Sequence, residues 1–437
     1  MKNLKIVGKY TNAVIYAGDC EDDCISQIYE LINNPAFKDQ TVRLMPDVHV
    51  GSTGPCGLVS TIGDYVCPNH IGVDIGCSVS MLVLSDIIPE DKYPIFEKRV
   101  KESIPMGPEL HKKTVIDYKD FYKFLSNKFS QVKAVWSEAL EDLPSTVNEK
   151  WVDGVLKRIN MEASTFYKSL GTIGGGNHFI EYDESENKTI SAITMHFGSR
   201  NFGKKVCTYW MKFTTQPLSK NETKELEKSL KDEYKRSHKN MDGFKDYLKK
   251  QVSDARHDFL KGYLYGDKLK GYLCDMVFAQ AYAEYNHIQV EKILSDLLKK
   301  FNIKVVDKIF CTHNYIDMTN HLLRKSAISA KQGEKVLIPL NMRDGVLICE
   351  GLGNEDWLNS CSHGAGRKMS RNKAKQTISL NEFEKSMNGI YSTSVSKDTI
   401  DESPMAYKDS DEIIEQIKES VKIINRIYPK ISWKHAK

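Results

Sequence analysis

Residues 45–80 read MPDVHVGSTGPCGLVSTIGDYVCPNHIGVDIGCSVS, and no other stretch of the chain is as informative about its structure. The stretch is rich in Gly, Val and Ile, with Pro, Asp and His between the apolar residues, which is typical of strands joined by tight functional loops. Asp74 and Cys77 stand three residues apart around a glycine, so one carboxylate and one thiolate can face a common point. The stretch therefore predicts strands whose loops carry chemistry.

The flanking sequence mixes further strand and helix patterns. Residues 4–17 predict two short strands about a turn. Apolar spacing or dense charge predicts helices over residues 24–34, 85–170, 217–250 and 275–300. The chain closes with a predicted helix that ends at Pro429 and places Ile413, Ile417, Val421 and Ile424 on one face. No repeat, linker or clean domain boundary interrupts this mixture of α and β elements.

The composition is that of an ordinary globular protein. Of 437 residues, 41% are hydrophobic and 27% charged, and the net charge of +4 argues neither for nor against a nucleic-acid partner. Since no apolar run is long enough to span a bilayer and the N-terminus lacks signal-peptide features, we expect no membrane association and a cytoplasmic location. Ten scattered cysteines predict reduced thiols, and Cys20 with Cys24 forms at most half of a zinc site.

Four further segments place ionisable groups among small residues. They are GTIGGGNHFIE (171–181), HFGSRNFG (196–203), CTHNYI (311–316) and SCSHGAGRKMSR (360–371). Each has a structural explanation, because a lone histidine commonly satisfies a core hydrogen bond and a glycine run can form a hairpin turn. Their coincidence in one chain favours a functional site.

Five side chains in these segments offer one oxygen, one sulfur and three nitrogen ligands: Asp74, Cys77, His178, His196 and His313. This mixed set suits a borderline divalent ion such as Mn, Fe, Co or Zn better than Mg or Ca. Two ions fit if the cysteine is shared. A pair of metal ions is a recurring arrangement for phosphoryl transfer. His363 lies in a separate segment and is a candidate phosphorus nucleophile, with Arg200 and Arg367 to bind phosphoryl oxygens.

The ordered series PDVHVG, VDIGC, GGGNHF, HFGSR, HN and HGAGR resembles the RtcB family of RNA-splicing and repair ligases over nearly the whole chain. The resemblance implies an α+β fold with a single catalytic domain over residues 1–437, two manganese ions, and GTP. It also implies that GTP guanylylates the histidine of HGAGR and that the guanylate passes to an RNA 3′-phosphate. A 5′-hydroxyl end then displaces GMP, and 2′,3′-cyclic phosphate ends are first opened. We expect a monomer.

The resemblance also assigns roles by position. The five mixed ligands match the family's metal ligands, and His363 matches its guanylylated residue. Asn177, Glu181, Asn314 and Arg367 match positions that hold the GTP phosphates or the guanylate. The segment ESPMAYK implies that Tyr407 lies against guanine, and the C-terminal IYPKISWKH implies that Lys434 reads the base edge.

Several positions depart from the family pattern without removing a ligand or His363, which predicts a divergent paralogue. They are Pro339–Arg343 before HGAGR, Ser78 and Val79 after the ligand cysteine, Phe197 and Asn201, and the terminal Lys434–Lys437. Two alternatives stay open. A metal-dependent phosphoesterase acting on RNA ends would need the ligands but not His363, and a non-catalytic RNA-binding paralogue would need neither.

Overall fold

A computed structural model describes residues 3–214, 220–238, 240–256 and 262–435. Pro217, where the predicted solvated helix begins, and the terminal Ala436 and Lys437 lie outside these residues. The strands are β1 Leu4–Val7, β2 Asn12–Ile15, β3 Val42–His49, β4 Cys56–Thr61, β5 Ser78–Leu84, β6 Phe179–Ser185, β7 Ser191–Phe197, β8 Val305–Thr312, β9 Asn314–Asp317, β10 Leu322–Lys325, β11 Ala327–Ser329, β12 Lys335–Asn341, β13 Gly345–Gly351, β14 Ser360–Ser362 and β15 Val421–Trp433.

The helices confirm most of the helical predictions. They are α1 Asp22–Ile32, α2 Pro68–Ile71, α3 Tyr93–Ser103, α4 Tyr118–Val135, α5 Glu149–Arg158, α6 Ala163–Lys168, α7 Arg200–Met211, α8 Lys220–Ser237, α9 Phe244–Arg256, α10 Gly266–Lys299, α11 Arg371–Thr377, α12 Leu380–Ser386 and α13 Ser410–Gln416. The predicted α+β class is confirmed. In the described ranges, no helix is long and apolar enough to cross a membrane.

The strands form two large sheets and one small one. The first sheet has the order β1-β2-β3-β4-β10-β9, and the second has the order β12-β13-β15-β6-β7-β5-β8. Strands β11 and β14 form a separate pair. The long helix α10 is buried along most of its length. It packs between the helical core, to which it contributes Phe278, and the second sheet, against which Val290 packs.

The predicted C-terminal helix is wrong beyond its first turns. Helix α13 ends at Gln416, and the chain then enters β15, a strand of the second sheet that contains Pro429. Strand β15 pairs with β13 on one side and β6 on the other. Pro429 lies beyond Ile427, the last residue of β15 that pairs with β13, so the missing N–H donor interrupts no pairing with β13. The register with β6 shifts between Pro429 and Ile431. Pairing with β13 up to Ile427, and with β6 from Ile427 onward, outweighs the helical spacing of the isoleucines.

Candidate metal centre

One end of the second sheet collects the predicted ligands. Because neighbouring strands there are antiparallel, β5 and β6 begin where β7 and β8 end. Cys77 and His178 directly precede β5 and β6, His196 is the penultimate residue of β7, and His313 directly follows β8. Strand pairing alone therefore gathers four side chains that are distant in sequence.

Asp74 joins them through a tight turn. The backbone N–H of Cys77 donates to the carbonyl of Asp74 at 3.2 Å. Gly76 has a φ of 74°, and a Cβ atom there would lie 2.9 Å from Cβ of Ala283 and 3.1 Å from Cα of Gln280 on α10. Only glycine fits this position, so the turn presses the ligand loop against the long helix.

The ligand atoms form two groups that share the cysteine. Sγ of Cys77 lies 3.5 Å from Nε2 of His178 and 3.2 Å from Nε2 of His196. Nε2 of His178 lies 2.9 Å from Oδ2 of Asp74, and Nε2 of His196 lies 3.2 Å from Nε2 of His313. Asp74, Cys77 and His178 make one group and Cys77, His196 and His313 the other, and each could hold a metal ion.

The protonation states of the cluster suit a cation. Burial lowers the pKa values of His196 and His313 well below the usual range, and the neighbouring imidazoles add to the effect. Burial and the charge of Asp74 raise the pKa of the Cys77 thiol. Neutral imidazoles present lone pairs, whereas the thiol needs a nearby positive charge to ionise. A divalent ion supplies that charge, so the donor set fits a metal.

The orientation of His196 is set by its backbone partner. Its Nδ1–H donates to the carbonyl of Asn177 at 3.2 Å, which leaves the Nε2 lone pair pointing at the cluster. Nδ1 of His178 and Nδ1 of His313 are buried and have no hydrogen-bond partner among the described residues. Their Nε2 atoms make the contacts within the cluster.

His363 stands beside this cluster. Its ring centroid lies 4.9 Å from that of His313, and its Nδ1 lies 2.6 Å from Oδ2 of Asp47. The backbone N–H of His363 donates to the same oxygen at 3.2 Å, and the Asp47 carboxylate is fully buried on β3. Asp47 has no role in the sequence-based predictions, although its carboxylate within the PDVHVG segment was an available signal.

A cavity of about 740 Å³ opens next to His363. Of the predicted site residues, its lining includes Asn177, Glu181, His196, His363, Arg367, Tyr407 and Lys434. The departing segment contributes Pro339, Leu340, Asn341 and Met342 to the same wall. The volume suits a nucleotide-sized ligand.

Glu402, which is absent from the predicted site residues, connects several of them. Its Oε2 accepts hydrogen bonds from Nζ of Lys434 at 3.1 Å and from the Tyr407 hydroxyl at 2.8 Å, and its Oε1 pairs with Arg371. Burial raises the pKa of Glu402, but Lys434, Arg371 and Arg367 outweigh it and hold the pKa at about 2. The available signal for Glu402 was its place in the ESPMAYK segment.

Glu181 lies on the same wall of the cavity. Its Oε1 accepts a hydrogen bond from the Ser432 hydroxyl at 2.7 Å. Burial raises the pKa of Glu181 to about 7, although the Lys434 ammonium opposes the shift. This carboxyl is therefore partly protonated near neutral pH.

Arg200 and Asn314 lie outside the described lining of the cavity. Nε of Arg200 donates to the Thr172 hydroxyl at 2.9 Å, and its Nη2 donates to the Gly107 carbonyl at 2.6 Å. Oδ1 of Asn314 accepts from the Ser326 N–H at 2.9 Å. Both side chains brace loops around the cluster, and their predicted roles toward phosphate and guanylate stay predictions.

The candidate zinc half-site is separate from this centre. Cys20 and Cys24 belong to neither group of potential ligands found among the described residues. All ten cysteines are free thiols, and most of them are buried.

Comparison with known proteins identifies the family. A sequence model described as tRNA-splicing ligase RtcB matches residues 27–435. The chain is 29% identical over 430 residues to the RNA-splicing ligase RtcB of Escherichia coli, covering 92% of each chain. It is 25% identical over 454 residues to the tRNA-splicing ligase RtcB of Nanoarchaeum equitans, with 88% of this chain and 86% of that one covered. For the tRNA-splicing ligase RtcB of Archaeoglobus fulgidus the identity is 23% over 461 residues, with 94% and 90% covered. The chain belongs to the RtcB family.

Proposed function

We propose that this protein is a manganese- and GTP-dependent RNA ligase that joins 3′-phosphate or 2′,3′-cyclic phosphate ends to 5′-hydroxyl ends. The relatives are RNA- and tRNA-splicing ligases by name, and the candidate metal centre is of the mixed kind that suits manganese. The observation that carries the proposal is the position of His363, which is held by Asp47 beside the ligand cluster.

His363 is the proposed nucleophile. Because its Nδ1–H donates to Asp47, Nε2 keeps the lone pair that attacks the α-phosphorus of GTP. A P–N bond forms, the bond to the β-phosphate oxygen breaks, and pyrophosphate leaves. The Asp47 carboxylate stabilises the positive charge that develops on the imidazole, as an orienting carboxylate does in other histidine-based sites.

The metal ions are proposed to be held in two positions. Asp74, Cys77 and His178 would hold one manganese ion, and Cys77, His196 and His313 the other. Bound there, the ions would neutralise charge on the triphosphate and on the transferring phosphoryl group.

The cavity residues are proposed to bind the nucleotide. Tyr407 would lie against guanine with Lys434 at the base edge, and Asn177, Glu181, Asn314 and Arg367 would hold the phosphates or the guanylate. Arg200 would complement phosphoryl oxygens by its guanidinium. Support comes from the cavity lining, which brings Asn177, Glu181, Arg367, Tyr407 and Lys434 to the same space as His363.

The later steps act on RNA. The guanylate moves from His363 to an RNA 3′-phosphate, which activates that end. The 5′-hydroxyl of a second end then attacks the phosphate, a phosphodiester bond forms, and GMP leaves. Cyclic ends are opened to the 3′-phosphate beforehand. The protein is proposed to act as a monomer.

Labelling with GTP tests the proposal. Wild type incubated with manganese and GTP labelled at its α-phosphate should keep the label through denaturing electrophoresis and lose it in acid, as expected of a P–N bond. His363→Ala should incorporate none, whereas His321→Ala, which changes a histidine stacked on Trp136, should label normally. Label on His363→Ala would move the nucleophile elsewhere. An unlabelled wild type that still hydrolyses RNA terminal phosphates would favour the phosphoesterase.

A further inference from the structure

A second reactive pair lies in the cavity wall, apart from the ligand cluster and from His363. His49 on β3 and Cys56 on β4 face each other across the two paired strands. Both side chains line the cavity, and the Cys56 thiol is half-buried. Neither residue has a part in the mechanism proposed above.

The surroundings of this pair orient it for nucleophilic chemistry. Nδ1–H of His49 donates to the carbonyl of Asp47 at 2.7 Å, which leaves the Nε2 lone pair available to take a proton from Cys56, the residue opposite His49 on the paired strand. Ser326 lines the same cavity beside this pair. A thiol, a base and a group that orients the base are the recurring parts of an activated cysteine.

A positive charge completes the surroundings. The side chain of Lys325 is almost fully buried, and its Nζ donates to the carbonyl of Gly54 at 2.9 Å, two residues from the cysteine. Burial raises the pKa of Cys56, but His49, Lys325 and the hydrogen bonds outweigh it and lower the pKa to about 6. A thiolate therefore faces the cavity at neutral pH.

We propose that Cys56 is a modification site for hydroperoxides and soft electrophiles that enter the cavity. The thiolate sulfur attacks one peroxide oxygen, an S–O bond forms and the O–O bond breaks. Sulfur loses two electrons, and the departing oxygen takes a proton from Nε2 of His49 to leave as water or an alcohol. The product is a sulfenic acid in the cavity wall. The proposal needs only this pair and the cavity, so it is independent of ligase activity.

Chemical trapping on the full chain tests the site. Reduced wild-type protein, freed of reductant, is treated with hydrogen peroxide and dimedone and then digested for mass spectrometry. Residues 44–92 form one tryptic peptide with Cys56, Cys67 and Cys77, so fragment ions must assign the adduct. The comparison thiol is Cys20, which is also half-buried and whose pKa is also lowered, by the neighbouring Cys24 thiol, but against the opposing charges of Asp19 and Glu21. We expect Cys56 to be trapped about tenfold faster than Cys20.

A variant tests the part played by the histidine. His49→Gln keeps a polar side chain but cannot serve as the base, and should slow trapping at Cys56 about tenfold while Cys20 is unaffected. Trapping at Cys20 equal to that at Cys56 in wild type would overturn the proposed site. Unchanged trapping at Cys56 in His49→Gln would overturn the activation by His49. Both outcomes are measured from the masses of the dimedone adducts, so no enzymatic assay is needed.

Discussion

Oδ2 of Asp47 lies 2.6 Å from Nδ1 of His363, although 316 residues separate them in the chain. This contact fixes the imidazole tautomer and aims Nε2 away from the carboxylate. It links the PDVHVG segment on β3 to the HGAGR segment after β14.

Asp47→Asn should slow guanylylation of His363 about 100-fold or more, because an amide neither stabilises the developing imidazolium nor enforces the tautomer. The initial rate of label incorporation from GTP measures the effect. Bound manganese should stay at the wild-type level, since Asp47 is in neither group of potential ligands. Guanylylation at the wild-type rate in this variant would show that the contact is only structural.

Cys77→Ala should lose both manganese ions, because Cys77 belongs to both ligand groups. His178→Ala should weaken one site more than the other, since His178 belongs to one group alone. Elemental analysis after dialysis against manganese buffer gives the stoichiometry. The matched controls Cys20→Ala and Cys24→Ala should retain the wild-type content, and equal loss from them would mean that the centre is misplaced.

Lys434→Met should lower the preference for GTP over ATP about tenfold, because a base edge that loses its partner leaves a buried polar group unpaired. Competition of each nucleotide against guanylylation measures the ratio, with manganese content unchanged. Lys430→Ala is the matched control, because Lys430 lies on β15 four residues before Lys434 and is outside the described cavity lining.

The contact between Lys434 and Glu402 adds a further check on that prediction. Glu402→Gln removes the negative charge next to Nζ of Lys434 and should also change the nucleotide ratio, if the pair acts as a unit. An unchanged ratio in Lys434→Met would mean that this lysine serves the ion network and does not read the base.

Glu181→Gln should alter the pH dependence of stability. The folded pKa of about 7 lies above the unfolded value of about 4.3, so the folded chain holds a proton that the unfolded chain releases. The stability from that proton is fully present below about pH 4 and is lost as the pH rises through 7.

Between pH 5 and pH 8 the thermal midpoint of wild type should therefore fall further than that of Glu181→Gln. The difference between the two decreases should be roughly 1–3 °C. Glu384→Gln changes an exposed carboxylate on α12 and should behave as wild type. Parallel midpoints for wild type and Glu181→Gln would show that Glu181 is ionised in both states.

The C-terminal segment shows where sequence reasoning stopped. Ile413, Ile417, Val421 and Ile424 have helical spacing, yet only the first part of the segment is helical. From Val421 onward the chain pairs first with β13 and then, from Ile427, with β6, and hydrogen bonds to strands distant in sequence are a tertiary effect. Helical periodicity is a local signal, and pairing with β6 and β13 overrides it.

Local sequence was sufficient for the residue types of the candidate site and for most helices and strands. Glycine-rich turns, a carboxylate, a thiol and histidines beside them can be read within short windows, because turn chemistry and ligand chemistry are local properties. The division of the ligands into two groups around Cys77, the Asp47–His363 contact and the Glu402 network could not be read that way. They depend on which strands pair, and in what register, across hundreds of residues, so they are set by the packed sheets.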